Sequence, residues 1–382
     1  MNILNSLPDD WRQALLIGRV AGKDGPTPIL IRKGRVLDIS AHAPTTADAL
    51  ARGDLAALDG VDMGPVEALA ITADWSDEAG VSLLSPLDLQ CIKASGVTFA
   101  VSALERVIEE RARGDADAAS VIREGLKARI GGDLKDLKPG SPEAEAVKAT
   151  LIADGLWSQY LEVAIGPYAE IFTKAPVLAS VGWGAAVGVR ADAAWTNPEP
   201  EVVVVCDPTG RAVGATLGND VNLRDIEGRS ALLLGKAKDN NASAALGPFI
   251  RLFDEGFGMD DVRSAVVGLS VAGEDGFRLE GESSMALISR DPEELIAQTL
   301  SAHQYPDGFA LYLGTMFAPV EDRDTPGKGF THKVGDRVRV SSGRLGVLEN
   351  VVRTCDAAPP WTLGVGDLMR NLAGRGLLGG AA

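Results

Sequence analysis

The chain has 382 residues, of which 46% are hydrophobic and 24% charged, and its 53 acidic and 37 basic residues leave a formal net charge of −16. This composition is ordinary for a globular protein, and the length predicts one large domain with a smaller one. So acidic a surface repels phosphate backbones and anionic membranes, which argues against nucleic acids and membranes as partners. A small anionic substrate is still compatible with this charge, because a bound cation can reverse the electric field locally.

No targeting or membrane signal is expected. Asp9 and Asp10 interrupt the N-terminal stretch where a signal peptide needs a basic start and an apolar core, and no apolar run approaches the roughly 20 residues of a membrane span. The three cysteines lack C-x-x-C spacing, and the three histidines are too dispersed for a zinc cluster. We therefore predict a cytoplasmic protein with reduced thiols.

The N-terminal part, residues 1–85, reads as a small domain of short strands. The pair Lys33-Gly34 separates two apolar runs, which predicts a hairpin turn. The following apolar stretch, residues 96–102, predicts a buried strand.

Residues 103–158 predict a helical insertion. Leu104, Val107, Ile108 and Ala112 form one apolar stripe at helical spacing. After a loop rich in glycine and proline, a further helix is predicted from Pro142 to about Asp154.

From residue 160 onward, short β-branched runs are separated by glycine, proline and aspartate. They include LEVAIG, EIFTK, EVVVVC, AVGATLG and FALYLGT. Only two helical stretches are predicted among them, at residues 246–257 and 292–303. Many strands with few helices between them predict an α+β fold dominated by sheet.

A pair of glutamates opens the strongest of these runs. Glu199 and Glu201 are two residues apart, so their carboxylates are expected on one face of the strand. Pro198 and Pro200 donate no hydrogen bond, which predicts that the strand begins at an edge or mouth of the sheet. On spacing alone, two ordinary glutamates on a solvated face remain the simpler interpretation.

A third carboxylate favours a metal site. Asp220 follows an apolar strand, and Lys238 lies eighteen residues later. Three carboxylates with water molecules would satisfy an octahedral magnesium ion. A lysine beside such an ion has its ammonium form disfavoured, which would suit a general base.

Five stretches occur in the order of the signature blocks of the fumarylacetoacetate hydrolase superfamily. They are NPEPE, GNDVNLRD, KDNNASAALGP, GFALYLGT, and KVGDRVRV followed by GRLGVLEN. Each block alone is weakly specific, but the ordered series over roughly residues 90–355 is highly specific. The chain therefore resembles this superfamily, and within it the dehydratases of 2-keto-3-deoxy sugar acids. The resemblance implies a sheet-dominated catalytic domain over residues 86–382.

The resemblance also implies roles for single residues. Glu199, Glu201 and Asp220 would bind Mg²⁺, with Mn²⁺ as an alternative ion. Lys238 matches the active-site lysine, ten residues before the proline of Gly247-Pro248. The residues implied to contact a small 2-keto acid substrate are Arg224, Glu227, Lys174, Gly314 and Thr315. Many members have glutamine at the position of Glu227, which leaves its role open, and a structural role suits Lys174 equally well.

One departure from the superfamily separates hydrolysis from dehydration. Hydrolytic members place a histidine shortly after an Asn-Tyr pair, whereas this chain has Thr98-Phe99 and then Ser102, with Glu105 retained. A serine hydroxyl cannot by itself activate water near neutral pH. We therefore expect a lyase, with Lys238 removing a C3 proton and Glu105, through a water or Ser102, protonating the leaving hydroxyl.

The expected reaction is dehydration of 2-keto-3-deoxy-D-xylonate to 2-oxoglutarate semialdehyde. The L-arabinonate derivative, which has the opposite C4 configuration, is the first alternative. An acylpyruvate hydrolase, a 2-oxo acid decarboxylase and a binding protein without catalysis are the others. The resemblance further implies a homodimer or homotetramer.

Overall fold

The structure is a computed structural model that describes residues 3–72, 81–99, 107–108, 124–125, 137–317, 319, 321–324 and 329–378. Its strands are β1 (Leu16–Gly22), β2 (Gly25–Arg32), β3 (Arg35–Asp38), β4 (Val61–Pro65), β5 (Ile71–Thr72), β6 (Val81–Leu84), β7 (Cys91–Gly96), β8 (Glu170–Ala175), β9 (Ala186–Val189), β10 (Thr196–Asn197), β11 (Pro200–Cys206), β12 (Ala212–Asp220), β13 (Asn222–Leu223), β14 (Ala244–Leu252), β15 (Val266–Ala272), β16 (Arg278–Ser284), β17 (Phe309–Tyr312), β18 (Arg337–Ser342) and β19 (Gly346–Thr354). Its α-helices are α1 (Thr46–Ala51), α2 (Pro142–Ala153), α3 (Gln159–Ile165), α4 (Arg224–Glu227), α5 (Leu234–Lys238), α6 (Met259–Arg263), α7 (Pro292–Leu300) and α8 (Val365–Gly374).

Two sheets carry the fold. The larger has twelve strands with the path β4-β3-β2-β1-β14-β12-β11-β17-β7-β8, and β6 and β5 attach beside β1. The smaller has five strands in the order β16-β15-β18-β19-β9. A short pair, β10 with β13, lies beside the functional residues described below. This sheet-rich arrangement confirms the predicted α+β class.

The strand β11 is almost wholly apolar in sequence because both of its faces are buried. Val202 and Val204 belong to the core between the two sheets, whereas Val203 and Val205 belong to the core on the opposite face. Successive side chains of a strand point to opposite faces, so a strand covered on both faces needs an apolar residue at every position. The run of four valines therefore marks a strand inside the molecule.

The smaller sheet alternates instead. Val267, Leu269 and Val271 are buried in the core between the sheets, while the residues between them are more exposed. A sheet with one face on the core and one toward solvent has this pattern.

The prediction of a helix over residues 246–257 is wrong, because the strand β14 occupies Ala244–Leu252. All nine residues of this strand are buried, between β1 on one side and β12 on the other. When a segment is apolar on both faces, its hydrophobic residues show no periodicity, so the sequence does not distinguish a strand from a helix there. The predicted helix near residues 292–303 is confirmed as α7.

The run LEVAIG, predicted as a strand, is instead the helix α3. The Ser158 hydroxyl accepts a hydrogen bond from the backbone of Leu161 and so caps this helix. Leu161, Ala164 and Ile165 recur at helical spacing and pack in a separate small core. The preceding helix α2 is confirmed, with Ser141 as its cap and Pro142 at its first turn.

The helical insertion is described only in part. Val107 and Ile108 are helical, buried and packed with α2 and α3, as the predicted stripe requires. Leu104 and Ala112 lie outside the described residues. The strand expected at residues 96–102 is displaced, since β7 ends at Gly96.

The N-terminal hairpin is confirmed, with Lys33 and Gly34 between β2 and β3. The strand β1 pairs with β14, so the N-terminal strands continue the large sheet. The division of the chain at residue 85 stays a prediction. Within the described ranges, no helix is both long and apolar enough to cross a membrane.

Candidate metal and active site

Six neighbouring strands of the large sheet meet at one end of the molecule. There β14, β11 and β8 begin, and β12, β17 and β7 end. The strand β11 lies between β12 and β17 rather than at an edge, and its first residue, Pro200, lies at the mouth of the sheet, the second of the two positions that the prolines predicted. A missing N–H is tolerated at the first residue of a strand.

Three buried carboxylates lie together at this end. Glu199, Glu201 and Asp220 are 2%, 1% and 2% exposed, and one oxygen from each lies within 4.8 Å of the others. The antiparallel pairing of β11 with β12 produces this cluster, because the backbone N–H of Asp220 donates to the carbonyl of Glu199 at 3.0 Å. The predicted metal ligands are therefore brought together.

Two buried lysines contact these carboxylates. Lys238, the last residue of α5, lies with its Nζ 2.5 Å from Glu199 Oε2 and 3.1 Å from Asp220 Oδ2. Lys174 Nζ lies 2.7 Å from Asp220 Oδ1 and also donates to the backbone carbonyl of Lys238. These contacts favour a supporting role for Lys174 over the direct substrate contact that the resemblance implied.

The predicted pair Gly314-Thr315 lies against Glu201. The Gly314 N–H donates to Glu201 Oε2 at 2.7 Å, and the Thr315 hydroxyl donates to Oε1 at 3.3 Å. The pair follows β17, the neighbour of β11, and the preceding carbonyl of Leu313 accepts a hydrogen bond from Thr98 at 2.6 Å. This segment therefore orients one of the three carboxylates.

Glu227 reaches the cluster through an asparagine. Asn222 Nδ2 donates to Glu199 Oε1 at 2.9 Å and to Glu227 Oε2 at 2.8 Å. Arg224 lies one turn earlier on α4, with its guanidinium carbon 4.7 Å from the centre of the Trp195 ring. A substrate contact of Arg224 stays a prediction.

A cavity opens beside the carboxylates and Lys238. Its other lining residues are Ser95, Gly96, Val97, Glu170, Phe172, Glu227, Leu234 and Thr315. Ser102 and Glu105, the predicted acid segment, lie outside the described residues. Glu170 and Asn222 were not predicted from the sequence. The signal for Glu170 was its place two residues before Phe172, which puts both on one face of β8.

The electrostatics of the cluster favour a cation. Burial, followed by the charges of Asp220 and Glu199, raises the pKa of Glu201 well above its ordinary range. Burial lowers the pKa of Lys238, but the charges of Asp220, Glu199 and Glu227 outweigh it and raise that pKa well above its ordinary value. A divalent cation held by the same carboxylates would offset their charge and lower both pKa values.

The donor set fits magnesium. All three candidate ligands are carboxylates, and hard oxygen donors without histidine or cysteine suit Mg²⁺ or Mn²⁺ rather than zinc. With all four ionised, the three buried carboxylates and the half-buried Glu227 would exceed the two buried lysines by two negative charges. Buried charge is costly unless it is compensated, and one divalent ion supplies that compensation.

Comparison with known proteins points in the same direction, although no family model matches the chain. A 2-dehydro-3-deoxy-D-arabinonate dehydratase of Saccharolobus solfataricus is 34% identical over 184 residues, which are 48% of this chain and only 58% of that protein. A probable 2-keto-3-deoxyxylonate dehydratase of Haloferax volcanii is 26% identical over 325 residues, covering 83% of this chain and 93% of that protein.

Among solved structures, 2-keto-3-deoxy-D-arabinonate dehydratase complexed with magnesium and 2,5-dioxopentanoate matches with a TM-score of 0.63 and 23% identity. The match covers 89% of this chain and 99% of that one. The chain therefore has the fold of that dehydratase, and the two relatives in sequence are named as dehydratases of 2-keto-3-deoxy sugar acids.

Proposed function

We propose that this protein is a magnesium-dependent dehydratase of 2-keto-3-deoxy sugar acids. The observation that carries the proposal is the contact of buried Lys238 with two of three buried carboxylates, Glu199 and Asp220, beside a cavity. A base next to an oxygen-only cation site suits a reaction that begins with removal of a proton beside a carbonyl group. Both curated relatives are named as dehydratases of such acids.

The proposed substrate is 2-keto-3-deoxy-D-xylonate, and the proposed product is 2-oxoglutarate semialdehyde, which is 2,5-dioxopentanoate. Formation of the 2-keto-3-deoxy acid removes the stereocentres at C2 and C3 and leaves only C4, whose configuration D-xylonate and D-arabinonate share. The derivatives of these two acids are therefore one compound, and the names of the relatives support the same choice. The L-arabinonate derivative, the mirror image at C4, is the alternative.

The proposed mechanism moves protons from C3 and C5 of the substrate and supplies one to the leaving hydroxide. When bound, magnesium would polarise the 2-keto group and make the C3 protons acidic. Lys238 would accept one C3 proton at Nζ, the C4–O bond would break, and the leaving hydroxide would depart as water after taking a proton. A proton shift from C5 to C3 then produces an enol, which tautomerises to the C5 aldehyde.

The acid that protonates the leaving hydroxyl is proposed to be Glu105, directly or through a water or Ser102. Among the described residues, Glu170 lines the cavity and offers a second carboxyl group for the same step. Glu227 and Arg224 are proposed to contact the substrate. On the resemblance alone, we also propose a cytoplasmic homodimer or homotetramer that acts in oxidative degradation of D-xylose.

The test is a product assay with purified enzyme. We expect 2-keto-3-deoxy-D-xylonate to yield 2,5-dioxopentanoate, identified by mass spectrometry after aldehyde derivatisation, at a kcat/KM on the order of 10²-fold above that for the L-arabinonate derivative. Equal rates for the two would contradict the C4 preference. Cleavage of an acylpyruvate without dehydration of either acid would instead favour a hydrolase.

A further inference from the structure

Asn222 joins a candidate metal ligand to a residue of the cavity wall. Its side chain is fully buried, and its amide nitrogen donates to Glu199 Oε1 at 2.9 Å and to Glu227 Oε2 at 2.8 Å. The two carboxylates come from different elements, since Glu199 precedes β11 and Glu227 ends α4. One amide group therefore holds two parts of the site together.

The chemistry of this contact is specific. Two carboxylates that approach each other in a buried site repel, and a group that donates to both allows them to stay close. Asn222 Oδ1 is buried and has no hydrogen-bond partner among the described residues. Since an unpaired buried acceptor is costly, the stabilising contribution of this side chain comes from its two donated hydrogen bonds.

We propose that Asn222 is a positioning residue that couples the metal site to the substrate site. It fixes the orientation of the Glu199 carboxylate for the cation, and it holds Glu227 at the cavity where the substrate chain lies. The first part concerns the metal alone. The second part rests on the proposed function.

The first experiment measures magnesium alone. Metal-stripped protein is titrated with MgCl₂ in a calorimeter, and unfolding by urea is measured in parallel. Asn222→Ala should bind magnesium about 10- to 100-fold more weakly than the wild type, the range typical of a lost partner behind a metal ligand. Asn222→Ser, which has a single donor and cannot bridge both carboxylates, should also weaken magnesium binding. It replaces the alanine variant in the test if that variant does not fold.

Asn350 provides the matched control. It is a buried asparagine whose amide nitrogen also makes two hydrogen bonds, at 2.9 and 3.0 Å, but to the backbone carbonyls of Gly182 and Ala185. Asn350→Ala should lower stability without changing magnesium affinity. Magnesium affinity within twofold of the wild type in both Asn222 variants would overturn the first part.

The second experiment tests the coupling at saturating magnesium with 2-keto-3-deoxy-D-xylonate. Asn222→Ala should raise KM about tenfold and change kcat less, because Glu227 is no longer held against the substrate chain. In the Glu227→Gln background the same substitution should change KM by less than twofold. If the effects of the two substitutions on KM instead multiply, the two residues act independently, and the second part of the proposal is overturned. A wild-type enzyme that forms no aldehyde would refute the proposed function, while the magnesium titration would still decide the role of Asn222.

Discussion

Replacing Gly314 by alanine should damage the site through the backbone. A Cβ at this position would lie 1.9 Å from Thr98 Oγ1 and 3.0 Å from Thr98 Cβ, and the residue has a φ of +108°. A strained φ costs a non-glycine residue about 1–3 kcal/mol, and overpacking adds about 1–3 kcal/mol. We therefore expect the free energy of unfolding to fall by about 2–6 kcal/mol.

The same substitution should weaken magnesium binding. The Thr98 hydroxyl donates a hydrogen bond to the carbonyl of Leu313. Relief of the clash therefore moves the Gly314 N–H group, which donates to Glu201. Loss of such a support typically costs about 10- to 100-fold in metal affinity. Urea unfolding and calorimetric titration with MgCl₂ measure the two effects.

Gly235→Ala is the matched control for this prediction. Gly235 lies on α5 near Lys238, and a Cβ there would meet nothing within 4 Å. Alanine in a helix is favoured over glycine by about 0.5–1 kcal/mol, so this variant should be as stable as the wild type or slightly more stable. A Gly314→Ala protein with wild-type stability and wild-type magnesium affinity would refute the reasoning.

Three further predictions concern charged groups. Removal of magnesium by a chelator should abolish activity. Glu201→Gln should prevent the rise in melting temperature that magnesium causes in the wild type, while the metal-free variant stays folded because the substitution adds no buried charge. Lys238→Ala should lower the rate of C3 proton exchange into deuterated solvent by about 10²–10⁴-fold, measured by NMR on the bound 2-keto acid; unchanged exchange would point to another base. Burial raises the pKa of Asp336, but hydrogen bonds from Arg323 and His332 outweigh it and lower that pKa to about 2. Because the folded pKa is depressed, this carboxylate stabilises the protein above the ordinary pKa of about 3.9, and its contribution is lost as the pH falls toward 2. The difference in unfolding free energy between the wild type and Asp336→Asn should shrink over that range, and a constant difference would contradict the assignment.

Much of the candidate site could be predicted because its residues lie in short local patterns. Glu199 and Glu201 stand two residues apart before a run of valines, and Asp220 closes the next strand. Since side chains alternate along a strand, such spacing can be interpreted without knowing the rest of the fold. The resemblance to a family then supported Lys238 and supplied Gly314 and Thr315.

The errors arose where local pattern carries no information. Residues 244–252 form a strand, although part of the segment was predicted as a helix, because both of its faces are buried and its apolar residues have no period. LEVAIG forms a helix although valine and isoleucine favour strands. Packing against Val107, Ile108 and Leu151 outweighed that preference.

The sequence by itself determined which segments are apolar, where the hairpin turns, and which acidic residues share a face. Only the tertiary structure decided that Lys238 meets Glu199, 39 residues away, and that Gly314 lies against Glu201, 113 residues away. It also decided that the Asn222 amide bridges two carboxylates and that Lys174 forms an ion pair with Asp220. Periodicity is a property of a few neighbouring residues, whereas the order of strands in a sheet depends on which distant surfaces bury each other best, and the site is built across that order.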